Sequence, residues 1–210
     1  MSPTVTRTRP AASTRKTAAL ADATRTSLTP ETWIDAATAV LVDQGIDHVR
    51  VDVLATQLSV TRGSFYWHFR DREDLLRRVL QAWSERATEQ LTRRLETAHD
   101  DPRAQLRDVI SLPFRGRAAA RAARIELAIR AWARRDEMAR KAVDAADSAR
   151  LAYHEQVFGA LGFGAEEAAM RAFVLYSYEV AESVLNRQGT AAQKQARSAF
   201  VERLMLQPLA

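Results

Sequence analysis

Cysteine is absent from this chain of 210 residues, and histidine occurs only four times. The lack of cysteine excludes disulfide frameworks, thiolate metal sites and cysteine nucleophiles. The four histidines show no paired metal-ligand spacing, and the sequence has neither a glycine-rich phosphate loop nor a nucleophile elbow. We therefore expect no catalytic residues, no metal site and no cofactor, and an enzyme is the least favoured class of protein.

Glycine and proline are scarce, with seven and six residues, and aromatic residues make up only 7% of the chain. This shortage, together with abundant alanine, leucine, arginine and glutamate, favours helices over strands. No apolar run approaches the roughly 18 residues that cross a bilayer, and the N-terminus has no apolar signal segment. We predict an all-α cytoplasmic protein with no membrane partner.

The net charge of +5 is concentrated near the N-terminus, where the first 30 residues hold five basic residues and one acidic residue. Residues 1–28 also contain few large apolar side chains. Such a segment buries too little apolar surface to offset the entropy lost on folding. We predict that residues 1–28 form a disordered basic arm, which is either a passive leader or a segment that lies along DNA.

Capping signals and apolar spacing predict helices through the rest of the chain. The first helix begins after Thr29, runs with apolar residues at helical spacing and stops at Gly45. Thr61 is expected to cap a short helix, and Asp71 opens a longer one that continues to about residue 98. The other helices are expected over about 50–58, 62–69, from 102, from 117, 136–161, 165–188 and 190–207.

The segment over residues 51–69 has the pattern of a helix-turn-helix unit. Two short helices flank a tight turn, and Ala55 is small enough to let them approach each other closely. If Phe65 and Phe69 pack against the core, the other side chains of the second helix face outward or lie on its flanks. Spacing alone fits either a DNA-reading element or an ordinary corner between packed helices. The outward and flanking residues are Arg62, Gly63, Ser64, Tyr66, Trp67 and His68.

The chemistry of these residues suits contact with DNA. Arginine donates two hydrogen bonds to guanine, and glycine permits close approach to base edges. Serine and histidine bond bases or phosphates, and a tyrosine hydroxyl at this height reaches the backbone. The start of the following helix, with Arg72, adds a basic side chain beside free backbone amides. The segment therefore reads as a DNA-binding surface.

The stretch from about Leu28 to Ala82 resembles the N-terminal DNA-binding domain of the TetR family of transcriptional regulators. The resemblance is carried by the Leu54-Ala55 pair, the run GSFYWHF at residues 63–69 and the opening REDLL of the next helix. It implies a three-helix DNA-binding domain over 29–82 and a helical ligand-binding and dimerisation domain over 83–210. The DNA-contacting residues that it implies are Arg62, Gly63, Ser64, Tyr66, Trp67, His68 and Arg72.

Three features depart from the family pattern. Ser59 stands where glycine is usual, so a left-handed backbone there carries strain of about 1 kcal/mol. Val49 and Arg50 replace a threonine pair at the start of the second helix, which removes a capping hydroxyl and offers Arg50 as a substitute phosphate contact. Asp52 complements the helix dipole but repels phosphate.

The last two predicted helices carry apolar residues over more than one face. A helix with two apolar faces needs a second surface to cover, and the same helices of a second copy would supply it in a four-helix interface. A monomeric core is the alternative. The residues assigned to dimerisation are Phe173, Tyr176, Val180, Val184, Phe200, Val201 and Leu204.

Large or polar-tipped side chains in the middle helices are candidates for lining a ligand cavity, with ordinary core packing as the alternative for each. They are Trp83, Phe114, Trp132, Met138, Tyr153, His154 and Tyr176. Together these features predict a homodimeric repressor that binds a pseudo-palindromic operator in double-stranded DNA and is released by an unknown small-molecule effector. The competing hypothesis is a helical small-molecule-binding or interaction module without DNA binding.

Overall fold

In the computed structural model of the chain, the described residues are 28–89, 92–93, 101–114, 116–185 and 189–208, and no strand occurs among them. A π-helical turn, Glu85–Glu89, follows the fourth helix, and 3₁₀ turns cover Ile46–His48 and Leu112–Phe114. The all-α prediction is confirmed, and none of these helices is both long and apolar enough to cross a membrane. The α-helices are α1 (Pro30–Gln44), α2 (Val51–Gln57), α3 (Arg62–Tyr66), α4 (Arg72–Ser84), α5 (Pro102–Ser111), α6 (Gly116–Ala133), α7 (Glu137–Ala160), α8 (Ala165–Val184) and α9 (Ala191–Leu206).

Several helices begin at an aspartate cap, at Asp71 and Asp101 as the sequence predicts and also at Asp136. Asp71, Asp101 and Asp136 each precede a helix, and the carboxylate of each accepts a hydrogen bond from a backbone N–H of the first turn. Thr29 and Thr61 precede α1 and α3 without a side-chain capping bond. The prediction that the Thr61 side chain caps α3 is therefore wrong, because its hydroxyl accepts no hydrogen bond from the first turn. The helix nevertheless begins at the predicted residue, Arg62.

Two predicted helices are shorter than expected. α3 ends at Tyr66, because the backbone N–H groups of His68 and Phe69 both bond the Phe65 carbonyl and close the helix there. The fourth helix ends its α-helical part at Ser84 and continues as the π turn. Residues 94–100, into which the predicted helix extended, lie outside the described residues.

The predicted arm lies outside the described residues, except for its last position. Leu28 is partly buried and packs against the core formed by the N-terminal helices. Leu28 therefore belongs to the packed core and not to the predicted arm, because a leucine at this position can cover the apolar face of α1.

Two apolar clusters hold the helices together. The first cluster combines residues of α1, α2, α3 and α4 with the end of α6 and the start of α7. Trp33, Phe65 and Phe69 are among its fully buried side chains. The second joins α5, the second half of α7, the start of α8 and the end of α9 around Phe158. The sequence predicts a domain boundary after residue 82, but the first cluster includes residues on both sides of it. The helix-turn-helix unit and the helical body that follows it therefore share one core.

Arg171 fixes the last helix against α8. Its side chain is buried and donates hydrogen bonds to the backbone carbonyls of Met205, at 2.7 Å, and of Gln207, at 2.6 Å. The guanidinium also pairs with Glu167 and lies 4.1 Å from the centre of the Phe163 ring. The last carbonyls of a helix lack partners within it, so this arginine satisfies them and complements the helix dipole.

Candidate nucleic-acid interface and internal cavity

The short helix α3 is held from behind by aromatic packing. Phe65 is fully buried, with its ring edge-on to Trp33 at 5.3 Å and stacked on Phe69 at 5.2 Å between centroids. The guanidinium of Arg78 on α4 lies 5.0 Å from the centre of the Phe69 ring. The prediction that two phenylalanines anchor this helix is confirmed, and it fixes which residues of α3 point away from the core.

The opposite face of α3 is open to solvent. Trp67 is 88% exposed and Tyr66 is 57% exposed, which is high for aromatic side chains of this size. Arg62 is also exposed, while Ser64 and His68 lie half-buried on the flanks. A large exposed apolar side chain beside an arginine and hydrogen-bonding groups is typical of a surface that binds a partner.

Gly63 occupies a position where the fold itself does not require glycine. A Cβ atom added there would meet only the hydroxyl oxygen of Thr61, at 3.7 Å, which is ordinary van der Waals contact. Its φ is also not in the left-handed region. Neither packing nor backbone conformation among the described residues thus requires glycine at this position. Close approach of a binding partner to the backbone of α3 would require it.

The turn before α3 adopts the strained conformation that the sequence predicts. Ser59 has a φ of 56°, in the left-handed region that normally favours glycine. The backbone N–H of Val60 donates to the Ala55 carbonyl at 2.9 Å, and that of Ser59 donates to the Thr56 carbonyl at 3.1 Å. These bonds close the turn tightly and set the angle between α2 and α3.

Two of the arginines predicted to contact DNA have partners within the chain. Arg72 donates from Nε to the Val49 carbonyl and from Nη2 to the Ile46 carbonyl, at 2.5 and 2.8 Å. Its expected role as a free phosphate clamp therefore needs correction, because these bonds commit much of the guanidinium to fixing α4 against the turn before α2. Arg50 is exposed and pairs with Asp52 at 3.5 Å, so its charge is partly offset.

A cavity of about 400 Å³ lies between the two apolar clusters, within the size range of small-molecule sites. Ile34 and Thr38 of α1 and Val79 and Trp83 of α4 form one wall, and α6, α7 and α8 form the others. The π turn also reaches it through Arg86. The helices that support α3 thus also line the cavity.

Four of the residues predicted to bind a ligand line this cavity, namely Trp83, Tyr153, His154 and Tyr176. Two others do not. Trp132 is buried in the first apolar cluster and Met138 packs against that cluster, because the ends of α6 and α7 that carry them lie beside the helix-turn-helix unit. The side chain of Phe114 lies outside the described residues.

A buried polar network forms one side of the cavity. Arg150 of α7 donates to both carboxylate oxygens of Glu126 on α6, each at 2.9 Å, and to the hydroxyl of Tyr176 on α8 at 3.0 Å. Arg130 bridges Glu126, at 2.8 Å, and Asp147, at 2.6 Å. Hydrogen-bonded ion pairs therefore join α6 to α7 at the cavity wall, and the hydroxyl of Tyr176 adds α8 to the network.

The pKa values of the two network carboxyls reflect these bonds. Burial alone would raise the pKa of Glu126, but hydrogen bonds and charge from Arg150 and Arg130 outweigh it and lower the pKa. The pKa of Asp147 is lowered in the same way, with burial opposed by Arg130 and Tyr176. Both groups are therefore ionised at neutral pH and balance the two arginines.

His154 and Glu179 face each other at the cavity without forming an ion pair. The histidine Nε2 lies 3.7 Å from Oε1 of Glu179. Burial, with the nearby charge of Arg150, lowers the pKa of His154 to about 4, and burial raises the pKa of Glu179 to about 8. At neutral pH the histidine is uncharged and the carboxyl is largely protonated, so neither neutralises the other.

Residues assigned to dimerisation divide between an exposed surface and the interior. Phe173 is 64% exposed and Phe200 is 58% exposed, and Val184 and Leu204 are exposed as well. The assignments of Tyr176 and Val180 to dimerisation are wrong, because both side chains line the cavity on the inner side of α8. Val201 is partly buried against the second cluster.

Met170 and Val174, two further apolar residues of α8 that were not assigned to dimerisation, add to the exposed set at 62% and 49%. With Phe173 they form an i, i+3, i+4 stripe along α8, and Phe200 and Leu204 form an i, i+4 pair on α9. We call these five residues the α8–α9 surface. Exposed apolar side chains at helical spacing on two helices that Arg171 connects are typical of an interface with another protein.

Sequence reasoning also missed the polar residues of the cavity. Glu126, Arg150 and Glu179 looked like ordinary charged positions of solvent-facing helices. A signal was present for Glu179, because it lies within an otherwise apolar stretch of α8, and a charge there is either unfavourably buried or functional. Within the described part of the chain, no three acidic or histidine side chains are grouped so as to hold a metal ion.

Comparison with known proteins places the helix-turn-helix unit in context. Residues 34–79 match the family described as bacterial regulatory proteins, tetR family. A segment of 66 residues is 44% identical to the HTH-type transcriptional regulator SrpR of Pseudomonas putida, covering 31% of this chain and 29% of that protein. A segment of the same length is 44% identical to the uncharacterized HTH-type transcriptional regulator TtgW, also of Pseudomonas putida, and covers 46% of it. The matches thus span less than half of either relative.

Similarity to solved structures extends over most of the chain. A transcriptional regulator from Rhodococcus sp. Rha1 superimposes with a TM-score of 0.65 at 20% identity, over 85% of this chain and 94% of that one. The regulator FadR from Bacillus subtilis, solved with stearoyl-CoA, gives 0.63 at 19% identity over 86% and 99%. At these identities the likeness concerns the fold, which this chain shares across both the helix-turn-helix unit and the helical body.

Proposed function

The chain belongs to the TetR family of bacterial regulatory proteins, and from this premise we propose that it is a helix-turn-helix transcriptional regulator that acts as a ligand-released repressor. It would bind a pseudo-palindromic operator as a homodimer, with α3 of each copy in successive major grooves. A small molecule in the cavity would lower operator affinity. The observation that carries the proposal is the exposed face of α3, held from behind by two buried phenylalanines.

The proposed reading face assigns each residue a role that its exposure permits. Arg62 would bond a guanine edge, and Gly63 would let the helix lie close to the bases. Tyr66 would bond a phosphate, and Trp67 would make apolar contact at the groove. Ser64, His68 and Arg50 would contact bases or phosphates at the margins. Arg72 would act through its positioning of α4.

Replacing Arg62 with alanine is expected to weaken operator binding by about 1 to 3 kcal/mol, or roughly 5 to 150-fold, and to relax base preference at one position. The reason is loss of a bidentate contact to a base edge rather than of a general charge. Operator fragments would be selected from genomic DNA with the full chain and titrated by fluorescence anisotropy. Arg121→Ala is the control, because Arg121 is also an exposed arginine, on α6 in the body.

Equal affinities of the Arg62→Ala protein and the parent for every selected fragment would contradict the assignment of the reading face. A parent protein that binds no fragment at low salt, yet binds small molecules, would instead support the competing hypothesis of a helical binding module. The salt dependence of the parent protein's affinity separates phosphate contacts from base contacts, because only the former release counterions.

We assign the dimer contact to the α8–α9 surface. Its five members place a broad apolar area on two adjacent helices, and Arg171 holds the second of these helices in place. Contact with the same surface of a second copy would bury both apolar areas around a two-fold axis. Such a dimer would set the distance between the two α3 helices.

Replacing Phe173 with glutamate is expected to raise the dimer dissociation constant by at least about hundredfold. Each copy loses the burial of one aromatic side chain, and each must instead desolvate a carboxylate. Sedimentation velocity over a range of concentrations measures the change. Leu127→Glu is the matched control, because Leu127 is an exposed apolar residue of α6, outside the α8–α9 surface. If Phe173→Glu left the sedimenting mass unchanged, or if the control lowered it equally, the dimer interface would have to lie outside the α8–α9 surface.

The proposed release by ligand follows from the shared walls of the cavity. α1 and α4 contribute both to the cavity and to the core that positions α3. A ligand that binds better when α4 is displaced would shift the spacing of the two reading helices in the dimer. Because both helices must dock at once, a small change in spacing lowers operator affinity.

A further inference from the structure

Glu179 is the one carboxyl of the cavity that the described residues leave without a matching cation. The network beside it is already balanced, since Glu126 and Asp147 face Arg130 and Arg150. The nitrogens of Arg150 donate to Glu126 and Tyr176, at 2.9 to 3.0 Å. Oε1 of Glu179 is buried and has no hydrogen-bond partner.

His154 adds a second unsatisfied polar atom to the same part of the cavity. Its side chain is only 5% exposed, it lies 3.7 Å from Glu179, and its Nδ1 has no hydrogen-bond partner. A buried polar atom without a partner costs free energy unless something bonds it. Two such atoms in neighbouring residues that line a cavity indicate the place where a polar group of a ligand binds.

The rest of the cavity wall is mainly apolar. Ile34, Val79, Trp83 and Val109 line it together with several alanines of α6. Arg86, the basic residue that lines the cavity from the π turn, is exposed and faces Asp35 at 3.9 Å. The site therefore combines a large apolar volume with one buried carboxyl, Glu179, whose proton a bound cation would displace.

We propose that the cavity binds a hydrophobic organic amine in its protonated form, with the ammonium group bonded to Glu179 beside His154. The aliphatic or aromatic body of the ligand would pack on Trp83 and the apolar walls. A protonated amine carries several N–H donors, which suits a carboxylate and the unprotonated ring nitrogen of a neutral histidine. The inference rests on the proposed function, because it specifies the chemical class of the effector.

The charge arrangement disfavours two other classes of amphipathic ligand. A carboxylate at Glu179 would depend on the proton that this carboxyl holds at neutral pH, and the two groups would repel each other once that proton is lost. A neutral alcohol could bond there, but it would gain no charge interaction. A ligand of equal length that differs only in its head group therefore distinguishes these classes.

Direct binding of three matched probes tests the proposal, with n-decylamine, 1-decanol and decanoate titrated into the full chain by calorimetry at pH 7.5. We expect the amine to bind at least about tenfold more tightly than either of the others. Glu179→Gln should weaken amine binding by at least about tenfold and leave decanol binding within about twofold. Glu155→Gln, which changes an exposed glutamate of α7, should alter neither.

The pH dependence provides a second readout that does not depend on a variant. Burial raises the pKa of Glu179 to about 8, so binding of the ammonium group must release a proton below that pH. Amine affinity should rise between pH 6 and 8 and level off above, while decanol affinity stays constant. His154 is uncharged throughout this range. Arg150 and Glu126 keep their charges, and burial raises the pKa of Tyr176 to about 12.

Three outcomes would overturn the proposal: equal or tighter binding of decanoate or decanol, amine binding that Glu179→Gln leaves unchanged, or amine affinity that does not vary with pH. Amine binding that needs Glu179 but does not release operator DNA would support the ligand class and contradict the effector role. Release of DNA by decanoate alone would support the repressor and contradict the amine. The two proposals therefore fail separately.

Discussion

Replacing Phe65 with alanine is expected to lower the free energy of unfolding by about 3 to 5 kcal/mol. The side chain is fully buried and contacts both Trp33 and Phe69, so its removal leaves a cavity at the centre of the first apolar cluster. The cluster continues into α6 and α7, so the loss affects the body as well as the reading helix. Urea denaturation followed by circular dichroism measures the change.

The neighbouring residue Trp67 provides the control for this prediction. Because the Trp67 side chain is 88% exposed, its replacement by alanine is expected to change the free energy of unfolding by less than about 0.5 kcal/mol. The same replacement should weaken operator binding, because the side chain belongs to the proposed reading face. If Phe65→Ala were as stable as the parent protein, the packing described for α3 would be wrong. If Trp67→Ala kept full operator affinity, Trp67 would have no place in the reading face.

Replacing Arg150 with methionine is expected to lower the free energy of unfolding by about 3 to 5 kcal/mol. The substitution leaves Glu126 buried with only Arg130 as a cation and removes a donor to Tyr176. A buried charge that loses one partner costs far more than the pair contributed. Thermal and urea denaturation report the difference. The control is Arg140→Met, because Arg140 is exposed and its ion pair with Asp144, at 3.4 Å, contributes at most about 1 kcal/mol.

Acid should reduce the difference between the Arg150→Met variant and the parent. The arginines lower the pKa of Glu126 in the parent, so its stabilising contribution is complete above the ordinary carboxyl range and is lost as the pH falls through the lowered pKa. In the variant, burial of the ionised carboxyl is unfavourable, and protonation relieves it. We expect the two unfolding free energies to converge as the pH falls below about 4. A difference that stays constant with pH would show that lost packing, not charge, causes the effect.

The proposed coupling between the cavity and α3 has a simple basis in the shared elements. α4 begins beside the turn held by Arg72, which bonds the carbonyls of Ile46 and Val49, and it reaches the cavity at Trp83. A displacement of α4 at the cavity would therefore be transmitted to the segment that precedes α2. The π turn after α4 contributes Arg86 to the same cavity, and such turns often mark functional sites.

Local sequence signals determined the helices and the orientation of α3. Caps at Asp71, Asp101 and Asp136 act on backbone N–H groups two or three residues away, so they can be recognised without a fold. Phe65 and Phe69, four residues apart, define one face of a helix, and the outward position of Trp67 follows from that spacing. These interactions depend on neighbours in the chain, which is why the predictions for them agree with the structure.

Tertiary structure alone decided the cavity and its chemistry. The ion pair between Arg150 and Glu126 joins residues 24 apart in the chain, and the hydrogen bond between Arg150 and Tyr176 joins residues 26 apart. α8 is apolar around most of its circumference, so periodicity could not show that Tyr176 faces inward and Phe173 outward. Helix packing sets these distances and faces, and it leaves Glu179 beside the cavity with no cation paired to it among the residues that the structure describes. The sequence determines which polar side chains are present, and helix packing determines which of them are buried and which contact each other.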